Sequence, residues 1–232
     1  MRVSLQQPWL EFDLGQVMQV LSWAPHGAGY TRARRILWRQ VRNSDLPPDL
    51  DVSEWLTREL RARHALKTVC MLTSRDVTHH HIAQAQVEGV HVQAVATVGL
   101  SNAERVGHRV DRSDRDWNRD LAEELRAPGY GTINIALCID MPLSQTGLLE
   151  ALSIATEART TAILDSEHWL PDGAGRATGT GTDCIAVAAP EGEVAYAGLH
   201  TALGHAIGEA VLQSVGDGAR DWQASIGRLS GG

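Results

Sequence analysis

The sequence has few of the features that identify membrane, nucleic-acid-binding or secreted proteins. Lysine and arginine number 21 against 28 aspartates and glutamates, the opposite of the basic excess with which proteins bind nucleic acid. No segment reaches the roughly 18 apolar residues of a membrane span, and the first residues lack the apolar run of a signal peptide. We therefore expect a cytoplasmic protein without nucleic-acid or membrane partners. An oligomer is compatible with this sequence.

Cysteines and the common nucleotide and hydrolase signatures are equally scarce. Cys70, Cys138 and Cys184 are widely spaced and form no CxxC pair, which predicts reduced structural thiols instead of a disulfide frame or a zinc site. Histidines 79–81 are adjacent, and on a strand at most two of them share a face. The sequence contains no Walker loop, GxGxxG loop, GxSxG elbow or SxxK pair. It predicts no metal site and no required cofactor.

The hydrophobic pattern mixes strands and helices without strict βαβ alternation. Residues 2–22 alternate and predict a short meander, whereas Ala33, Ile36, Leu37 and Val41 recur at helical spacing and predict a helix within 26–41. Further strands are predicted at 67–74, 130–140 and 183–190, and a hairpin over 80–100 that turns at Glu88-Gly89. Further helices are predicted at 53–65 with Ser53 as N-cap, at 144–164 and at 200–215. The charged segment 104–128 is predicted to be a loop that leads into a short helix. This favours one α/β domain (α+β is the alternative) with a mixed sheet flanked by helices over 1–215, and a frayed polar tail over 216–232.

Small and polar residues concentrate at four places in this pattern. Three adjoin predicted strands, at 96–107, 129–140 and 177–187, and a fourth, at 196–208, begins the last helix. Glycine lets a ligand or another strand approach the backbone, and the neighbouring threonines and asparagines supply short donors and acceptors. Each stretch taken alone is compatible with a tight turn or bulge. Together they predict the lining of one polar pocket.

Four side chains in these stretches are candidates for chemistry. Asp183 stands where a hydroxyl-rich loop meets an apolar strand and suits proton transfer, although a cap or turn role is equally compatible. His200 begins the last helix, where the helix dipole favours the neutral ring, but a lone histidine is often structural. Asn134 lies within an apolar strand, and its amide needs a partner such as a substrate. Asn102 is compatible with a ligand contact or with a helix N-cap.

The sequence resembles the CbiZ type of adenosylcobinamide amidohydrolase at several of these places in series. The matching stretches are "VLSWAPHGAGYTRARRIL" (20–37), "ATVGLSNAERVG" (96–107), "GTINIALCID" (131–140), "ALSIATEARTTAI" (151–163), "ATGTGTDCIAVAAP" (177–190) and "YAGLHTALGHAIGEAV" (196–211). They span nearly the whole chain in the order of the family. Leu199, Ala202 and His205 stand where the family has two lysines and a glutamate.

The resemblance implies an enzyme of corrinoid (vitamin B12) salvage. It would hydrolyse the amide between the aminopropanol arm and the corrin ring of adenosylcobinamide and release adenosylcobyric acid. The adenosylated corrinoid is then the small-molecule substrate, so that cobalt arrives with the substrate and is no catalytic metal.

Amide hydrolysis needs a stabilised oxyanion, an activated nucleophile and a proton for the leaving amine. On this interpretation Asp183 and His200 share the proton transfers, Asn134 and Thr132 position the scissile carbonyl, and Thr182 is the choice if a threonine is the nucleophile. The expected substrate-binding residues are Ser101, Asn102, Thr132, Thr178, Gly179, Thr180, Gly181 and Thr201.

Two other classes of function remain open from the sequence. The same pocket would suit a corrinoid-binding protein without turnover, because the family's lysines are replaced. It would also suit a hydrolase of another amide, or an autoprocessing enzyme cleaved at Gly131-Thr132 or Gly181-Thr182. Autoprocessing would give two chains in place of one of 25.2 kDa.

Overall fold

A mixed β-sheet and three helices form the described part of the protein. The computed structural model describes residues 1–42, 45–47, 50–108 and 131–229, with side chains up to 225. The strands are β1 (Arg2–Gln6), β2 (Trp9–Ser22), β3 (Gly29–Gln40), β4 (Val69–Thr73), β5 (His80–Val87), β6 (Val90–Thr97), β7 (Ala103–Glu104), β8 (Asn134–Ile139), β9 (Gly179–Thr180) and β10 (Cys184–Ala189). The helices are α1 (Val52–Ala62), α2 (Gln145–Asp165) and α3 (Ala202–Leu229).

The large sheet has eight strands in the order β4-β3-β2-β10-β8-β6-β5, with β1 paired to β2. The pairs β3–β4 and β8–β10 are parallel, and the other pairs are antiparallel. This confirms the predicted single α/β domain with a mixed sheet flanked by helices. β7 and β9 form a separate two-stranded ribbon.

The sheet is strongly curled. The Asn134 Nδ2 atom on β8 donates to the carbonyl of Leu72 on β4, at 2.7 Å, although three strands separate β8 from β4 in the sheet order. The curl encloses one apolar core, which includes Phe12, Met71 and Val95. A second core lies on the convex face beneath α2 and α3, and a third lies beneath α1.

Most of the local predictions are confirmed. The strands at 67–74, 130–140 and 183–190 correspond to β4, β8 and β10, and the predicted hairpin is β5–β6 with its turn at Glu88-Gly89. The helix at 144–164 is α2, and the Ser144 hydroxyl caps it by accepting from the N–H of Gly147, at 3.2 Å. The predicted loop and helix at 104–128 lie outside the described residues from 109 onward.

The helix predicted within 26–41 is wrong, because this segment is the strand β3. It pairs with β2 from Gly29 to Arg39, and Ile36 and Trp38 face the inner core while Leu37 faces the core under α1. A strand buried on both faces is apolar at consecutive positions, and such a run also matches helical spacing. Long-range pairing therefore decided the structure of this segment.

Two predicted helix ends also need correction. The N-cap of α1 is Asp51, whose carboxylate accepts from the N–H of Glu54 at 2.9 Å, and Ser53 lies inside the helix. Residues from 216 onward, expected to form a frayed tail, continue α3 to Leu229. Trp222 explains the difference, since its side chain is buried in the convex core and its ring contacts His168 edge-on at 5.4 Å between centroids.

An ionic cluster ties α3 to β5 near this end of the helix. The Asp221 carboxylate contacts Arg75 at 2.9 Å, His79 at 2.8 Å and His81 at 3.6 Å. Burial alone would raise the pKa of Asp221, but His79 and Arg75 outweigh it and hold that pKa below its ordinary value. The two outer histidines of the 79–81 run thus share a face as predicted, and their partner is a carboxylate already paired to a guanidinium.

We expect Asp221→Asn to lower the melting temperature near pH 7 and to weaken its acid dependence. Because the folded pKa of Asp221 lies below the unfolded value, its contribution is present above the unfolded pKa of about 3.9 and is lost as the pH falls through the folded pKa. Thermal melts of both proteins between about pH 7 and pH 3 test this. Asp217→Asn, at a more exposed carboxylate on the same helix, is the control. A Tm difference that stays constant with pH would contradict the prediction.

Candidate functional site

Three of the four polar stretches meet at one edge of the sheet. β6 is antiparallel to β8, and β8 is parallel to β10, so the end of β6 and the beginnings of β8 and β10 lie side by side. The segment after β6 (98–107), the one before β8 (131–133) and the one before β10 (177–183) therefore form one surface. The sequence predicted a convergence of all four stretches, and the fourth, 196–208, is the exception because it follows β10 and packs on the beginning of α2.

Direct backbone contacts hold the three segments together. Ala103 and Glu104 pair with Thr180 and Gly179 in the β7–β9 ribbon. The Thr178 hydroxyl accepts from the N–H of Val106 at 2.7 Å. Gly99 packs against Gly131 so closely that a Cβ on Gly131 would lie 2.5 Å from Gly99 O and 2.7 Å from Leu100 N.

Gly131→Ala is expected to destabilise the protein and to displace Thr132. The added methyl group meets backbone atoms that cannot rotate away, and overpacking of this kind costs about 1–3 kcal/mol. Urea unfolding of the two proteins measures the cost. Gly208→Ala is a matched control, because a Cβ at Gly208 meets no atom within 4 Å and the position is helical. Equal losses in the two variants would contradict the assignment of a close backbone contact.

The Asp183 carboxylate organises the loop before β10. It accepts from the N–H and the hydroxyl of Thr180 and from the N–H of Ile133 at 3.1 Å, and it forms an ion pair with Arg159 of α2. Burial raises the pKa of the Asp183 carboxyl, while the Arg159 guanidinium and these hydrogen bonds act in the opposite direction. Its oxygens are thus directed at the protein's own groups, as the cap or turn interpretation of this residue expects.

Arg159 explains why residue 179 of this loop is a glycine. Its Nη1 atom also donates to the carbonyl of Thr178 at 3.3 Å. A Cβ at Gly179 would lie 3.0 Å from the Arg159 Cζ and 2.6 Å from an Asp183 oxygen. Glycine at 179 therefore makes room for the buried ion pair.

Two hydroxyl groups face each other between the loops. The Oγ1 atoms of Thr132 and Thr182 lie 2.9 Å apart, and Thr132 is almost fully buried. Thr182 follows the exposed Gly181 and is partly accessible. We call the three segments 98–107, 131–133 and 177–183 the loop cluster. The hydroxyl pair is therefore at the surface of the loop cluster, beside the Asp183–Arg159 pair.

A polar cleft of about 310 Å³ opens next to these loops. It is lined by Glu104, Arg105, Val106, Thr156, Arg159, Thr160, Thr178, Gly179 and Thr180. Arg105 is fixed by donating to the carbonyl of Arg176 at 2.8 Å. Carboxylate, guanidinium and hydroxyl groups around one small volume suit the binding of an amide and proton exchange with it.

The structure separates Asp183 from His200. Asp183 precedes β10, and His200 follows the strand and lies beyond its other end. There His200 is exposed, in a turn that packs on the beginning of α2, where the N–H of Ala197 donates to Glu150 at 2.6 Å. The predicted sharing of proton transfers between Asp183 and His200 is therefore contradicted by the geometry. Thr201, in the same turn, caps α3 by accepting from the N–H of Gly204 at 2.9 Å.

Asn134 differs from the expectation, and the N-cap alternative for Asn102 is wrong, while its predicted contact with substrate stays a prediction. Asn134 is fully buried, and its side chain points into the curl of the sheet, where it bonds to Leu72 instead of facing the cleft. Asn102 is followed by the strand β7 and is no helix N-cap. The neighbouring Ser101 is exposed in the turn before β7.

Sequence reasoning missed Arg159 and Glu104. Arg159 lies on α2, whose prediction rested on its apolar positions alone, and one charged residue on a partly buried helical face was the available signal. Glu104 stood in a segment that was interpreted as solvated, yet it belongs to the β7–β9 ribbon and lines the cleft.

Metal-binding clusters and membrane-spanning helices are both absent from residues 1–108 and 131–229, apart from the short gaps at 43–44 and 48–49. Within them, no three His, Cys, Asp or Glu side chains cluster closely enough to hold a metal ion. No helix in these ranges is long and apolar enough to cross a membrane. The expectation of a metal-free reaction stays a prediction.

Comparison with known proteins agrees with the resemblance noted in the sequence. The chain is 28% identical over 200 residues to an adenosylcobinamide amidohydrolase of Methanosarcina mazei, covering 81% of this chain and 83% of that protein. It is 32% identical over 154 residues to the uncharacterized protein MJ1613 of Methanocaldococcus jannaschii, covering 62% of this chain and 59% of that protein. Among solved structures, the PH0078 protein of Pyrococcus horikoshii OT3 matches with a TM-score of 0.46 and 11% identity, over 90% of this chain and 76% of that one.

The family comparison is broader than any single relative. The family model for CbiZ, adenosylcobinamide amidohydrolase, matches residues 1–227. That range includes all three segments of the loop cluster and the helix that supplies Arg159. The chain belongs to the CbiZ family of adenosylcobinamide amidohydrolases and is a hydrolase that acts on an amide bond.

Proposed function

We propose that the protein hydrolyses the amide between the aminopropanol arm and the corrin ring of adenosylcobinamide, releasing adenosylcobyric acid and the amino alcohol. Water adds to the carbonyl carbon, the C–N bond breaks, and the leaving amine takes a proton. The observation that carries the proposal is the match of the family model over residues 1–227, which covers every segment of the loop cluster. We further propose that the reaction belongs to corrinoid salvage in the cytoplasm.

The hydroxyl pair is our candidate for contact with the scissile carbonyl. Thr182 is the accessible member, and Thr132 lies 2.9 Å from it and orients it. A fixed hydroxyl that donates to the developing oxyanion contributes about 10²–10³ in rate. In this role Thr182 stabilises charge, and direct attack by its oxygen to form an acyl-threonine is the alternative.

Asp183 and Arg159 act on the loop in this proposal, and the substrate does not touch the Asp183 carboxylate. Their ion pair and the Thr180 contacts fix the backbone between Thr178 and Asp183. Preorganised groups stabilise a transition state because they need no rearrangement when charge develops. Glu104 lines the polar cleft next to this loop, and its carboxylate suits proton exchange with water or with the leaving amine.

Incubation of purified, chelator-treated protein with adenosylcobinamide tests the proposal. Chromatography of the corrinoids is expected to show adenosylcobyric acid without any added metal. Thr161→Val, at an exposed threonine of α2 that does not line the cleft, serves as a variant that should behave as wild type. Unchanged substrate, even after divalent metals are restored, would overturn the proposed function. Binding without product would then support the corrinoid-binding alternative, and two chains in an intact-mass measurement would support autoprocessing.

A further inference from the structure

Three exposed apolar side chains outside the core lie against the loop before β10 or at the first two turns of α2. Trp23 is 46% exposed, Tyr30 48% and Leu149 55%. We call these three residues the aromatic shelf. Large apolar side chains grouped at a surface often mark a binding site, whereas single ones need no explanation.

The strand register places Trp23 and Tyr30 on one face of the sheet. Tyr30 is directly opposite Leu21 in the β2–β3 pair, and Leu21 belongs to the convex core beneath α2 and α3. Paired residues of neighbouring strands share a face, and so do residues two apart along a strand. Tyr30 therefore stands on the convex face, at the side of α2. Trp23 follows the last residue of β2, and because its neighbour Ala24 is buried in the inner core, Trp23 stands on the convex face as well.

Helix α2 connects the shelf to the cleft. The Tyr30 hydroxyl donates to the carbonyl of Gln145 at 3.2 Å, which places Tyr30 at the first turn of α2. Leu149 follows one turn later, and Thr156, which lines the cleft, is seven residues further along. Residues four and seven apart lie on one stripe of a helix, so Gln145, Leu149 and Thr156 lie along the same side of α2, which leads from the shelf towards the cleft.

Both aromatic side chains are held by their polar atoms. The Trp23 Nε1 atom donates to the carbonyl of Asp183 at 2.6 Å, and the Tyr30 hydroxyl is bonded as described. Trp23 thereby touches the residue next to Thr182. A tethered ring with an exposed face offers a flat ligand a surface that loses little conformational freedom on binding.

The size of the cleft indicates which part of the substrate binds at the aromatic shelf. Its volume of about 310 Å³ is at the lower end of the roughly 300–1,000 Å³ typical of sites for drug-sized ligands, and a corrin ring with its amide arms is larger than such a ligand. Thr182 does not line the cleft but lies two residues beyond Thr180, which does, so an arm that passes Thr182 and enters the cleft leaves the flat macrocycle outside it. We propose that the aromatic shelf binds the face of the corrin ring and positions it while the arm reaches Thr182. This inference rests on the proposed function.

The test compares ring removal with ring replacement at Trp23. Trp23→Ala and, independently, Tyr30→Ala are expected to raise the KM for adenosylcobinamide about tenfold and to leave kcat within about twofold. Trp23→Phe keeps a ring but loses the bond to Asp183, and is expected to stay within about threefold of wild type in KM. Ile82→Ala, at an exposed apolar residue on the edge strand β5, is the matched control. Equilibrium dialysis of the coloured corrinoid, in the slow Thr182→Val background, measures the Kd directly.

The outcomes separate the shelf from the proposed reaction. If KM and Kd are unchanged in both Trp23→Ala and Tyr30→Ala, the proposal that the shelf binds the corrin ring is overturned. Turnover by the wild type would still support the proposed reaction. Equal losses in Trp23→Ala and folded Trp23→Phe also overturn the proposal for the shelf, since the hydrogen bond and not the ring would then be the cause. A wild type that binds corrinoid without product, with Kd still raised in Trp23→Ala, supports the shelf and overturns the reaction.

Discussion

Arg159→Met is expected to lower the free energy of unfolding by about 3–5 kcal/mol, the largest effect on stability that we predict. The variant leaves the Asp183 carboxylate buried with 7% side-chain exposure and without its cation, and removing one partner of a buried ion pair costs this much. The loop before β10 is expected to loosen, so that amide hydrolysis is lost as well. Urea unfolding monitored by tryptophan fluorescence measures the stability.

A double-mutant cycle separates the ion pair from simple loss of packing. Arg159→Met combined with Asp183→Asn removes both charges, and we expect it to recover part of the stability lost in Arg159→Met. Arg220→Met is the control, because this arginine is 69% exposed and pairs with Asp217 at the surface, where such pairs contribute about 0–1 kcal/mol. If Arg159→Met and Arg220→Met lost the same stability, the buried pair would not be what holds the loop.

Thr182→Val is expected to lower kcat for adenosylcobinamide about 100-fold and to change KM by less than about threefold. Valine keeps the shape of threonine but removes the hydroxyl that we place at the scissile carbonyl, and one oxyanion donor is worth about 10²–10³. Thr182→Ser is expected to retain most of the activity. Initial rates at several substrate concentrations measure both constants.

The control for this prediction is Thr161→Val, whose hydroxyl bonds only to the backbone of its own helix at Glu157 among the described contacts. A kcat of Thr182→Val within tenfold of wild type would exclude the assigned role. Intact-mass measurement of rapidly quenched reactions distinguishes the two chemistries, because only nucleophilic attack by Thr182 adds a corrinoid acyl group to the protein.

Much of the fold followed from local patterns. The hairpin at Glu88-Gly89, the strand β8 and the helix α2 were predictable because turn residues, apolar runs and an N-cap at Ser144 act within a few residues of themselves. β3 was not predictable in this way. Its consecutive buried residues fit a helix as well as a strand, and pairing with β2 and β4 decided between the two.

The candidate site was likewise only partly predictable from local sequence patterns. The sequence by itself indicated the three loops that form it, since glycines and threonines at strand ends mark places where backbone segments approach, but it also included 196–208, which lies beyond the other end of β10. Only the tertiary structure decided which side chains face the cleft. Arg159 meets Asp183 across 24 residues of chain, Asn134 turns inward because the sheet curls, and His200 lies beyond the far end of β10. Burial and strand direction set these contacts, and both arise only once distant segments pack together.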